Sequence, residues 1–283
     1  MYQDFLMIRL RAILLIIVAS SVVQAQSVNR ASVTDTPALV AFAWPDGTLN
    51  FAAPAPPPDM AANVPLPRMS PELALTAFQQ RAERQAQSLA GYSAATMIRA
   101  ELPDSAQRGE YELERHFVAP HSLTFKTVHY TGDSFVKTNV IARLLQSEVE
   151  HVQKGDPGAT ALRFENYKFS YKGTTQVGGR ILHVYQVKPR KKRVGLFKGH
   201  VYLDALSGSL VRAEGRVVKS PSLFVKKIDF VQEYEDVNGF TLPVHMHSEA
   251  KATLVGRTVV DVVNRDYQPL PGRVESAAVS GSR

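Results

Sequence analysis

The stretch Phe230–Glu249, FVQEYEDVNGFTLPVHMHSE, holds the densest grouping of side chains that could do chemistry. In a strand, alternate side chains share a face, so His245, His247 and Glu249 stand together. A His-x-His pair with a carboxylate is one way to hold zinc. The same alternation gathers Leu242, Val244 and Met246 on the opposite face, which has the composition of a core. Asn238-Gly239, between two apolar alternating runs, is the signature of a tight hairpin. The histidines are therefore expected on the wet face of a half-buried strand with no metal bound, and a metal-dependent enzyme is the least favoured reading.

Other chemistry is sparse. His116, His121, His129, His151, His183 and His200 are scattered one per element, and no nearby serine or aspartate forms a recognisable nucleophile motif. There is no cysteine, which removes disulfides, thiolate metal sites and thiol nucleophiles. KGTTQVGGR sits between strands rather than at a strand-to-helix junction, so it is a turn and not a phosphate cradle. The reading is a protein that is not an enzyme and takes no cofactor. The run KPRKKR, with Lys188, Arg190, Lys191, Lys192 and Arg193, is either a solvated hairpin tip or a contact for an anionic surface.

The elements that must position these residues follow from pattern. Arg9 and Arg11 precede the apolar run AILLIIVASSVV and the small residues before Gln26, so residues 1–25 read as a secretory signal peptide. Residues 26–69 are Pro-rich and read as a largely disordered linker. At Ser70 a helix opens with an N-cap, Pro71 at its first position and Glu72 in its first turn, and Gly91 is expected to end it. From Tyr92 the period becomes two, and Tyr111, Leu113, Arg115 and Phe117 share one face of a strand. KTNVIARLLQSEVEHVQ reads as a second helix, with Val140, Leu144, Val149 and Val152 along one side. After it the chain is nearly all strand, and residues 269–283 read as a disordered tail.

About ten strands and two helices give a mainly β (α+β) domain over residues 70–268. Short loops between consecutive strands imply an antiparallel meander. Two helices cannot cover both faces of so large a sheet. The expectation is a strongly curved antiparallel sheet forming an incomplete β-barrel, with the two helices on its concave, open side.

Three stretches carry a resemblance: GHVYLDALSGSLVRAEG, with an Asp before its turn; FVKKIDFVQEYEDVNGFTLP, with Tyr234, Gly239 and Pro243; and the closing strand LVGRTVVDVVNRDY. With the Ser70 helix, they resemble outer-membrane lipoprotein-sorting proteins of the LolA-like family. That resemblance implies an incomplete barrel with helices as a lid over an apolar cavity. It also implies a periplasmic protein that carries lipid or acylated lipoprotein to the outer membrane. The alternative is a protein-interaction or envelope-stress sensor module of the same fold. Expected cavity-wall residues are Ile228, Phe230, Leu242, Val244, Met246, Leu254, Val260 and Val262. Expected partners are lipid or acylated lipoprotein, and envelope proteins or an anionic membrane surface. The formal charge of +7 would suit nucleic acid in the cytosol, but behind a signal peptide it points to anionic lipid headgroups or acidic envelope components instead.

Overall fold

A computed structural model describes residues 67–154, 156–220, 225–253 and 256–272. The signal-peptide reading, most of the linker and most of the tail lie outside these residues. The first helix, α1 (Pro71–Ser88), starts as its sequence dictates: the Ser70 hydroxyl accepts from the Leu73 amide at 3.2 Å. It does not run on to Gly91. Leu89 is already extended, and the chain passes directly into β1 (Leu89–Leu102). Gly91 serves another purpose. It lies inside the strand where a Cβ would overlap the Phe117 carbonyl oxygen of the neighbouring strand.

β2 (Gln107–Val118) and β3 (Ser122–Gly132) follow as hairpins. The second helix, α2, is continuous but not uniform: Ser134–Val136, a π turn Lys137–Ile141, then Ala142–Lys154. A single turn, α3 (Pro157–Thr160), leads to β4 (Tyr167–Val177) and β5 (Arg180–Pro189). The last strands are β6 (Phe197–Asp204), β7 (Leu210–Val217), β8 (Val225–Val237), β9 (Phe240–Ala252) and β10 (Gly256–Pro271). The β8–β9 hairpin turns on Asn238-Gly239, both at positive φ, as that dipeptide predicts.

All ten strands form one antiparallel sheet in the order β3-β2-β1-β10-β9-β8-β7-β6-β5-β4. The mainly β class with some helices holds. The strongly curved, incomplete barrel does not: the sheet is open, and its edges β3 and β4 do not meet. The reason lies in burial. Only one face needs cover. Alternate residues of β1, from Tyr92 to Leu102, are buried. So are Ile228 and Phe230 of β8, and Val260 and Val262 of β10. The opposite face carries cross-strand ion pairs such as Arg99–Glu110, Arg216–Asp229 and Arg257–Glu249. A sheet wet on one side does not have to curl over to hide it.

The buried face falls into adjoining clusters. Val136, Val140, Ile141 and Leu144 of α2 pack on Ile98, Leu113, Met246 and Val260. Phe78 of α1 packs with Tyr167, Tyr185, Phe197 and Phe230. A third cluster joins Tyr92, Phe117 and Leu242. The backbone approach at Gly91 is directly testable. Gly91→Ala should destabilise the protein by about 1–3 kcal/mol, the usual range for overpacking, in a urea unfolding curve. An unchanged midpoint would show that β1 and β2 are not this close.

Candidate functional site

The two helices are attached to the sheet in different ways. α1 is tied to backbone. Gln85 donates to the Thr241 carbonyl at 3.0 Å and accepts from the Thr241 amide at 2.8 Å. Gln79 donates to the Leu162 carbonyl at 2.9 Å, and Arg81 pairs with Asp236. α2 instead lays an apolar stripe on the sheet, interrupted by one charge. Glu148 sits four residues after Leu144 and meets Arg115 of β2 at 2.9 Å. Both side chains are nearly fully buried, at 4% and 6% exposure.

The environment of that pair is apolar and aromatic. The Arg115 guanidinium lies over the Phe125 ring at 5.0 Å. Burial by itself would disfavour the charged guanidinium; the Glu148 carboxylate beside it more than offsets this and holds Arg115 raised. Yet Arg115 Nε and Glu148 Oε2 have no hydrogen-bond partner. The 2.9 Å approach is therefore an ion pair without good hydrogen-bond geometry. Such a pair contributes little net stability, because desolvation offsets much of the attraction.

The expected wall residues separate. Ile228, Met246, Val260 and Val262 are buried beneath α2, Phe230 beneath α1, and Leu242 beside Tyr92. Leu254 lies outside the described residues. Val244 leaves the row in which it was read. A register shift pairs Glu233 with His245 but Tyr234 with Pro243, so Val244 is the extra residue of a bulge. It lines an open groove of about 470 Å³ with Thr175, Arg180, Tyr202 and Arg212. Against α1, a pocket bordered by Phe78, Ala82, Leu162 and Tyr234 holds about 40 Å³, space for a few waters.

His245 and His247 stand on the wet face. His247 Nδ1 is 2.9 Å from Asp261 Oδ1, and His245 Nε2 is 3.4 Å from the same oxygen. His245 Nδ1 is 3.5 Å from Glu233, and His247 Nε2 is 3.7 Å from Glu249, which also pairs with Arg257. Among the described residues no group of three or more His, Asp or Glu could hold a metal ion. The aspartate before the β6–β7 turn, Asp204, has a structural task. Its Oδ1 accepts from the Leu206 and Ser207 amides at 3.0 and 2.9 Å and from the Ser207 hydroxyl, and its Oδ2 accepts from Arg180.

The sequence reading placed Arg115 on the apolar face of β2 but passed over Glu148. The signal was present in the spacing Val140, Leu144, Glu148, Val152. One acid interrupts a helix stripe and one base interrupts a strand stripe.

A model described as a family of unknown function (DUF5686) matches residues 160–265, well under half of the chain. No curated protein matches. Among solved structures the chain is similar to a LolA superfamily protein from Nitrosomonas europaea. The identity is 11% and the TM-score 0.32, covering 63% of this chain and 85% of that one. It is also similar to a putative outer membrane lipoprotein-sorting protein domain from Vibrio parahaemolyticus, at 14% identity and TM-score 0.39, covering 72% and 95%. The MucA/MucB complex of Pseudomonas aeruginosa matches at 14% identity and TM-score 0.24, covering 69% and 98%.

Two outcomes are expected. Glu148→Ala strands Arg115 and should cost about 3–5 kcal/mol, whereas Arg115→Met with Glu148→Leu should be neutral or stabilising in the same unfolding assay. For Asp204, burial pushes the carboxyl up, but donors from Ser207, Leu206 and Arg180 outweigh it and hold its pKa lowered. A lowered pKa adds stability above the ordinary aspartate value of 3.8 that is lost as pH falls through the folded value. Asp204→Asn should therefore be less stable at neutral pH by about 1–3 kcal/mol, with the difference shrinking below that value. A gap independent of pH would contradict the assignment.

Proposed function

We propose that this protein is a non-enzymatic binding module acting outside the cytoplasm. It accepts lipid or lipoprotein acyl chains on the apolar sheet face that α2 covers, and a role as a carrier to the outer membrane follows from that binding. The observation that carries the reading is the way α2 is held. An amphipathic helix closes a broad aliphatic surface through a buried ion pair with incomplete hydrogen bonding. The π turn Lys137–Ile141 at its start interrupts the regular helix ladder, a feature common at functional positions, and supplies a point of bending. Moving α2 aside would expose Ile228, Met246, Val260 and Val262 as a wall.

The energetics are sufficient. Acyl burial is worth about 0.8 kcal/mol per methylene, so a twelve-carbon chain gains on the order of 10 kcal/mol against the work of displacing the helix. No catalytic group is required. The charged and apolar stretch at 9–23 supports export.

A second reading has its own observation. The wall residues are packed by the helices, and the pocket against α1 holds about 40 Å³, which suits a module that binds protein partners and senses envelope stress. Titration with a fluorescent twelve-carbon acyl probe separates the two. The first reading expects saturable binding that weakens in Arg115→Met/Glu148→Leu by about tenfold for each 1.4 kcal/mol by which that variant stabilises the closed helix. Absence of binding by wild type at probe concentrations below micelle formation would leave the sensor reading.

A further inference from the structure

On much of the wet face a charge on one strand faces its opposite on the next. Arg99 faces Glu110, Lys126 faces Glu114, and Arg216 faces Asp229. Like charges also meet at Lys227–Lys251–Arg257 and at Asp229–Glu249, but Lys227, Arg257, Asp229 and Glu249 each have an ion partner; at one end of β4, β5 and β6 lysines meet like charges without one. Lys168 is directly opposite Lys188, and Lys198 is directly opposite Arg216. Val187 pairs with Gly199, which makes Lys188 and Lys198 next neighbours across β5 and β6. Like charges in these positions destabilise a sheet by tenths of a kcal/mol or more each. Among the described residues none of Lys168, Lys188 and Lys198 is in an ion pair, and all three are exposed.

The turn that follows adds the run Arg190–Arg193, four further exposed cations. It is not a loose tip. The Arg190 amide donates to the Asn166 carbonyl, and its Nε donates to the Phe164 carbonyl, both at 2.7 Å. This fixes the basic run against the segment that presents Phe164, a ring 45% exposed and set edge-on to Phe169 at 5.4 Å. The exposed basic run thus stands beside an exposed aromatic.

We propose that this end of the sheet docks on an anionic phospholipid surface, with the lysines and the Arg190–Arg193 run on headgroup phosphates and Phe164 as the interfacial anchor. An acidic peptide fits less well. The free edge beside these cations is β4, and a strand added there would lie about 15 Å, three strand spacings, from Lys198 on β6. The register shift between Tyr171 and Gly173 also interrupts that edge. A planar anionic surface meets the three lysine-bearing strands and the turn together. None of these residues belongs to α2 or to the apolar face it covers, so this docking and the acyl-binding reading stand or fall separately.

The experiment is cosedimentation of the purified protein with vesicles of phosphatidylglycerol and phosphatidylethanolamine, against vesicles of phosphatidylcholine alone. Every variant carries the same N terminus as wild type. Wild type should pellet with the anionic vesicles and be released as salt rises. Each cation is worth about fivefold, so Lys188→Glu/Lys191→Glu/Lys192→Glu should lower vesicle affinity about a hundredfold or more. Phe164→Ser should lower it about tenfold. Acyl-probe binding should be unchanged in both, and the Arg115→Met/Glu148→Leu protein should still pellet. Equal binding to neutral vesicles, or variants that pellet like wild type, would overturn the proposal. So would wild type that ignores the vesicles but binds soluble polyglutamate. If the triple variant fails to fold, the Phe164→Ser comparison and the salt titration of wild type decide alone.

Discussion

Arg115 and Glu148 meet where the rest of the interface is aliphatic and aromatic, and much about the domain depends on how that meeting is resolved. Two ions removed from water must compensate each other, or the helix that buries them cannot stay down. The pair has closed without completing its hydrogen bonds. Packing by Val140, Ile141 and Leu144 provides the attraction, while the ions set where along β2 the helix rests. A purely aliphatic interface could slide by a turn at little cost. A buried charge has one partner and so one register.

The contrast with α1 sharpens the point. That helix is bonded to strand backbone through Gln85 and to the loop before β4 through Gln79. Its neighbour α2 is held by apolar contact, the buried ion pair, Lys137 over Tyr111 and Tyr130, and a contact from His121 to the Val152 carbonyl; it carries a π turn near its start and covers the broad aliphatic patch. An element that must move is drawn from those with lower local stability. The fold thus carries one helix bonded to backbone and one laid mainly on apolar surface, over a single buried face.

The other face follows different physics. In water, cross-strand charge pairs are worth little individually, but their alternation keeps a ten-stranded sheet soluble and discourages sheet-on-sheet association. His245, His247, Glu233, Glu249 and Asp261 belong to that lattice. What resembled half of a metal site is a stretch of it, with the imidazoles shared among carboxylates. In the Lys168–Lys188–Lys198 row no acid is interleaved and none of the three lysines has an ion partner among the described residues.

Much of this was legible in the residue order, because it rests on local rules. Ser70-Pro71-Glu72 starts a helix wherever it is placed, and Asn238-Gly239 turns a hairpin. Period-two alternation marks strands and assigns a face to His245, Met246 and His247. Three things were not legible. Gly91 looked like a helix terminator, but its role comes from Phe117, far along the chain. Val244 followed the alternation on paper, and only its pairing with β8 created the bulge that takes it out of line. The sheet was expected to curl because helix cover looked too scarce. Whether one face or two must be dry depends on which strands pair, and strand order is a long-range property. The opposed lysines, the open edges and the Arg115–Glu148 contact arise the same way, from residues distant in sequence that only the completed sheet brings together. Local propensity and patterning determined the elements and their faces; tertiary pairing decided which faces and charges meet.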